Sequence, residues 1–316
     1  MTIMTASLTS DLMGESSGTI RPSGKAALNR NTIIWWAILS SISTLNIAIW
    51  LHSYRTLLGA GSLDNDGARG GDGDGHPYQR YHLMLSGIYV FACAYRSFLP
   101  RIDLERYCLW DTIFSSIFLG RSAATVAEIS FAGQIALFLH HLGEVHDHPW
   151  ARVLAIVLVP AITIAQCFCW CGVVTLNHGY HAIEESIWAV GALFVGLEMA
   201  SLVVCYPEKT SLSRLGVLGS VACFAFFWFM VTVDVPMYVR RWREGRGECV
   251  GKKEEGGKTP RVLLRMTTFE GGRDALRRRV VTKSWHVWKE ETLWLTGYFS
   301  SAVWLSLFLI YLPVPV

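Results

Sequence analysis

Seven apolar runs, near positions 32–52, 82–99, 121–142, 151–173, 181–204, 214–236 and 291–312, set the terms on which this chain can fold. Each approaches the roughly 20 helical residues needed to cross a hydrocarbon core about 30 Å thick. Backbone amides inside lipid find no water, so a spanning run must close its hydrogen bonds within itself, as a helix does. The composition agrees. Of 316 residues, 52% are hydrophobic and 17% charged, against roughly 25% charged in ordinary soluble domains. The expected fold class is all-α: a polytopic integral membrane helix bundle of about seven transmembrane helices, in contact with the lipid bilayer.

One stretch does not fit a single crossing. From Tyr107 to Leu142 the chain is almost continuously apolar, and as one helix it would run about 54 Å. An interfacial or re-entrant helix over Tyr107–Leu119 is therefore expected before the third span, with the break at Gly120-Arg121. Residues 1–31 are rich in Ser, Thr and Gly and lack an apolar signal-peptide core, so they read as a disordered, uncleaved tail. The resulting organisation is a tail (1–31), a six-span bundle (32–236), a basic loop (237–290) and a seventh span (291–316).

The net charge is only +3, but Arg and Lys crowd between Arg240 and Lys289. Such a bias marks the cytoplasmic side. It places the N-terminus inside as well and the C-terminus outside or in a lumen. Asp274–Trp288 reads as a basic amphipathic helix at the interface, suited to anionic lipids. No nucleic-acid partner is expected, because no nucleic-acid module accompanies the charge. The Asp/Gly alternation between Gly59 and Arg80 lacks the closing Glu of a calcium loop and reads as a solvated connection.

Polar residues inside the runs carry the functional argument, since ionisable groups at membrane depth usually face a bundle interior or a wet cavity. Asn177-His178-Gly179-Tyr180-His181-Ala182-Ile183-Glu184-Glu185 brings two imidazoles and two carboxylates into the start of the fifth run. With alternating span directions, Arg121, Glu128, Gln166, Asn177, His178, His181, Glu184, Glu185 and Asp234 all fall in one leaflet. That points to a cytoplasm-facing cavity lined by Arg121, Gln166, Asn177 and Asp234. Glu128, Glu184, Glu185, His178 and His181 are its candidate catalytic groups.

His178, His181 and Glu185 share one helical stripe and form a candidate ligand set for zinc or iron; Asn177, His181 and Glu184 form the neighbouring stripe. Among eight cysteines, Cys167, Cys169 and Cys171 are spaced by two, which on a helix turns them about 200° apart per step and prevents all three from meeting one ion. A second ligand-rich group, His140, His141, Glu144, His146, Asp147 and His148, follows the third run. Glu198 lies in the outer half of the fifth.

These features suit an integral-membrane enzyme using acid/base or metal-assisted chemistry on a lipid or isoprenoid-like substrate. Two alternatives stay open. One is a proton- or cation-coupled transporter, the other a structural or receptor-like membrane protein with an ion-pair core. The charge bias makes one direct prediction about orientation. An accessibility tag placed in 254–258 is expected to react only from the cytosol, and one after Val316 only from the opposite side; labelling of both from the same side overturns the seven-span count.

Overall fold

The computed structural model describes residues 29–63, 75–206, 208, 210–251, 266–277 and 279–312. The expected tail up to position 28, the Asp/Gly-rich stretch 64–74 and residues 252–265 of the basic loop lie outside the described residues.

Among the described residues ten α-helices follow in order: α1 (Arg30–Leu63), α2 (Gly75–Phe98), α3 (Ile117–Val145), α4 (Pro149–Thr175), α5 (His178–Cys205), α6 (Thr210–Phe229), α7 (Val235–Gly251), α8 (Thr268–Arg277), α9 (Trp285–Gly297) and α10 (Val303–Tyr311). A π turn at Met230–Asp234 joins α6 to α7, and another at Tyr298–Ala302 joins α9 to α10. Among the described residues, six helical segments are long and apolar enough to cross a membrane: Arg30–Leu57, Ile117–Val145, Pro149–Thr175, His178–Cys205, Ser211–Glu244 and Trp285–Tyr311. This is a multi-pass helical membrane bundle. The expected second span falls on α2, which is 24 residues long and packs against α1, α3 and α10 but is not among these six.

Helices adjacent in sequence pack side by side from α1 to α6, and the last helix lies against α1, α2 and α3. The buried face of α9, the π turn and α10 joins Trp288, Leu295, Phe299, Val303, Leu307 and Ile310 to Trp35 and Leu39 of α1 and to Leu83, Tyr89, Val90 and Cys93 of α2. Side-chain hydrogen bonds fix the register, as they must where lipid tails provide no hydrophobic drive between helices. Trp35 Nε1 donates to Thr296 Oγ1 at 3.0 Å. Gln134 Nε2 donates to the carbonyls of His82 and Ser306, both at 3.2 Å, while Ser306 Oγ donates to Gln134 Oε1 at 2.6 Å. Asn46 Nδ2 reaches the Phe299 carbonyl at 3.3 Å, within the π turn.

The stretch after α2 corrects the expectation of an interfacial helix over Tyr107–Leu119. Arg101–Ile102 (β1) pairs antiparallel with Tyr107–Cys108 (β2), a single 3₁₀ turn covers Ile113–Ser115, and α3 begins at Ile117 and runs unbroken through Gly120-Arg121. The excess length is taken up by sheet and turn.

The second correction concerns Asp274–Trp288. The amphipathic helix is α8, ending at Arg277, after which Val280–Val281 (β3) pairs parallel with β2 and α9 starts at Trp285. Trp288 is fully buried against Trp35, ring centroids 5.5 Å apart, and its Nε1 donates to the Thr282 carbonyl at 2.9 Å. It belongs to the core.

The sheet and α8 form a cap on the end of the bundle where α4 finishes and α3 begins. Arg106 ties it down. Its φ of 61° lies in the left-handed region, uncommon for a residue with a Cβ. There its fully buried guanidinium donates to the Asp103 carbonyl at 2.8 Å, the Val173 carbonyl at 2.9 Å and Asp274 Oδ2 at 3.0 Å. Removing one partner of a buried ion pair costs about 3–5 kcal/mol. Arg106→Leu should therefore lower the melting temperature of detergent-solubilised protein sharply, and an unchanged melting curve would show that the cap is not fastened here.

Candidate functional site

The turn between α4 and α5 builds the site. Leu176, at φ 56° and ψ 36°, ends α4 in the left-handed conformation. Asn177 then caps α5, its Oδ1 accepting the Gly179 N–H at 3.1 Å. Ser, Thr, Asp and Asn favour this position because their side chains satisfy an otherwise unpaired helical N–H. Asn177 is thus a cap, and α5 starts at His178, running through Gly179 without a break. The tight reversal sets the last turns of α4 against the first turns of α5.

Two linked groups of side chains occupy this end of the bundle. The first is a closed ring. Arg121 Nη2 donates to Glu128 Oε1 at 2.8 Å and to Gln166 Oε1 at 2.5 Å, and Gln166 Nε2 donates to Glu128 Oε2 at 2.5 Å. Thr125 Oγ1 also donates to Gln166 Oε1, at 3.2 Å, and accepts from Trp170 Nε1 at 3.0 Å. Both oxygens of Glu128 are engaged, so it acts as a fixed counter-charge joining α3 to α4. The seven-residue separation of Arg121 and Glu128, two turns along one face, is bridged by the length of the arginine.

The second group is Cys169, His181 and Glu184. One potential ligand atom from each lies within 4.8 Å of the other two, and all three residues are buried. His181 Nδ1 stands 2.9 Å from Glu184 Oε2 and 3.8 Å from Cys169 Sγ. Thiol and carboxylate face the same ring nitrogen. A nucleophile relay needs them on opposite nitrogens, so a cysteine-histidine-acid relay is not formed, whereas three donors converging on one side suit a cation. Glu184 Oε1 lies 3.9 Å from Arg121 Nη2, linking the groups. His181 Nε2 is buried with no hydrogen-bond partner. It presses on Gly172, where an added Cβ would come within 2.7 Å of it.

His178 and Glu185 fall outside the trio, and the Glu184 stripe supplies the carboxylate instead. The His178 ring lies 6.2 Å from that of Tyr238 of α7, which also stacks on His181 at 5.3 Å. Glu185 and Asp234 are half-buried, and Asp234, at the end of the π turn, lies within electrostatic reach of Glu185. Glu128, Glu184, Glu185 and Asp234 therefore share this end with Arg121, with Arg96 near Glu128 and Arg241 near Asp234. Carboxyl groups outnumber guanidinium groups here.

Cys169 was not among the expected ligands. The expected divergence of the three cysteines holds, with Cys167 and Cys171 exposed, and Cys169 alone turns inward. Its phase relative to Gln166 and Gly172, three residues to either side on one helix face, is the signal that finds it. Elsewhere, the His-rich group around the α3–α4 turn forms no three-ligand cluster among the described residues. Its members disperse: Arg152 pairs with Asp147 at 2.7 Å, His141 packs on Tyr78, and His148 Nδ1 lies 2.7 Å from Glu198 Oε1, close enough for an ion pair but not aligned as a hydrogen bond.

The chain matches no protein-family model, no curated protein and no solved structure.

The ring separates folding from chemistry in a testable way. Arg121→Leu leaves Glu128 and Glu184 short of their counter-charge, and melting should fall by the equivalent of about 3–5 kcal/mol. The double variant Arg121→Leu with Glu128→Leu should recover much of that loss. If the single variant melts like the wild type, the ring does not hold α3 to α4.

Proposed function

We propose that the protein is an integral-membrane enzyme that holds a transition metal, zinc or iron, between Cys169, His181 and Glu184 and acts on a lipid-type substrate at the cytoplasmic end of its bundle. The convergence of Sγ, Nδ1 and a carboxylate oxygen in a buried place carries this reading. A thiolate, an imidazole and a carboxylate form a fitting donor set for zinc, and three protein ligands leave a coordination position open, as catalytic sites do. The surplus of carboxylates favours a cation there. When bound, the metal supplies Lewis-acid chemistry or an activated water.

The chain's own residues divide the remaining work. Glu185 and Asp234, neither tied into the Arg121 ring, are the groups able to take up or release a proton. His178 and Tyr238 form an aromatic side to the site. The Arg121–Glu128–Gln166 ring positions Glu184 and anchors α4, a structural role for three residues that the sequence placed in the cavity. A relay running outward along α5 gains no support, since Glu198 is matched with His148 about 21 Å further along the helix.

Metal analysis of protein purified without chelator tests the proposal. About one zinc or iron per chain is expected, with loss of metal in Cys169→Ser, His181→Ala and Glu184→Gln but retention in His178→Ala and Glu185→Gln. Wild-type protein that stays metal-free after incubation with zinc and with iron(II) overturns it.

A further inference from the structure

Arg101 is 3% exposed, in the first strand of the cap where α2 hands over to α3. Its guanidinium is held on two sides. Nη1 donates to the Ser116 carbonyl at 2.7 Å, and its carbon sits 4.9 Å from the centroid of the Tyr95 ring. The side chain crosses Gly120 so closely that an added Cβ would lie 2.1 Å from Nη1. The opposite edge is different: Nε and Nη2, the two donors of the fork, are buried and have no partner.

The surrounding charges do not settle the account. Asp103 is the neighbouring carboxylate, and its Oδ2 lies 3.6 Å from Arg96 Nη2 while its Oδ1 is unpaired. Arg96 and Arg101 thus share one carboxylate. The negative end of the α2 dipole offsets only part of the remainder. Burial, with Arg96 nearby, pulls the pKa of Arg101 below the usual arginine value, but a guanidinium does not give up its proton in a protein. An isolated buried charge is costly, so buried charges are paired. The Nε–Nη2 edge matches the oxygens of a phosphate or carboxylate in bidentate fashion.

We propose that Arg101 is the recognition residue of an anion site, taking two oxygens of a phosphate-bearing group on its Nε–Nη2 edge, with Arg96 adding charge alongside. The site lies under the cap, between the ends of two helices of the membrane bundle, and its phosphate is borne by a lipid or free in solution. The unpaired Asp103 Oδ1 can accept a hydrogen from the hydroxyl of a phosphate monoester. This site shares no residue with the metal trio, so either proposal can fail without the other.

The test is thermal melting of the full chain in an uncharged detergent, with and without chelator. The additives are phosphatidic acid, a diacylglycerol with the same acyl chains, and inorganic phosphate. Phosphatidic acid is expected to raise the melting temperature by several degrees, and diacylglycerol is not. A rise with phosphatidic acid alone identifies a lipid as the source; a rise with inorganic phosphate also upholds the site and identifies a free anion. Arg101→Lys, which keeps the charge and loses the fork, should abolish the shift, while Arg277→Gln on the exposed surface of α8 should retain it. No shift with either phosphate compound overturns the proposal, as does a shift that survives Arg101→Lys or disappears in Arg277→Gln. If Arg101→Lys fails to fold, the three additives on wild-type protein and on Arg277→Gln still decide it.

Discussion

A charge taken into an apolar bundle has to be matched on the spot, and the ring of Arg121, Glu128 and Gln166 meets that demand for the polar end of this protein. Each member comes at a price in desolvation, and each is bonded to both of the others. Taking away one leaves two groups stranded. Because Arg121 also faces Glu184, the ring sets where the first turns of α5 sit relative to α3 and α4. The position of His181 against Gly172 and Cys169 follows from that anchoring. The groups free for chemistry are those the ring does not consume.

A second constraint comes from the cap. Two connections far apart in sequence, after α2 and before α9, are joined through β2 and β3 and through Arg106 with Asp274. A short sheet of two-residue strands has little stability of its own. It persists here because Arg106 is buried with its donors matched and because Ser116 Oγ donates to the carbonyls of Ala275 and Leu276. The basic region therefore has a folded portion seated on the bundle, and the candidate metal trio and Arg101 lie at the same end.

The membrane class was legible because its signal is summed over long runs. The gathering of polar residues at one end was legible too, since antiparallel neighbours put the start of α3, the end of α4 and the start of α5 together. Finer features depended on details that apolarity does not encode. Tyr107–Ser116 is largely apolar but not α-helical, because Arg106 and Arg101 draw the chain into a cap. Trp288 carries an amphipathic side chain in a basic segment, and its tertiary contacts, Trp35 and the Thr282 carbonyl among them, make it core. Cys169 was hidden by its two exposed neighbours. The choice between Glu184 and Glu185 turned on a rotation of about 100°, which the spacing of His178, His181 and the two carboxylates left undecided.

The two π turns bear on how this chain can vary in length. A single residue inserted into or deleted from a regular spanning helix turns everything beyond it by about 100°, carrying one side of its seam away from its neighbours. At Met230–Asp234 and Tyr298–Ala302 the wider turn already accommodates an extra residue. Loss of one residue within either window would convert the turn to ordinary α-helix while leaving the packing phase on both sides almost intact. Relatives of this chain that differ by one residue inside a span should carry the difference at these two places. Alignments that put the gap in a loop would then misregister Asp234 and Tyr238 at one end and the Trp304–Asn46 hydrogen bond at the other.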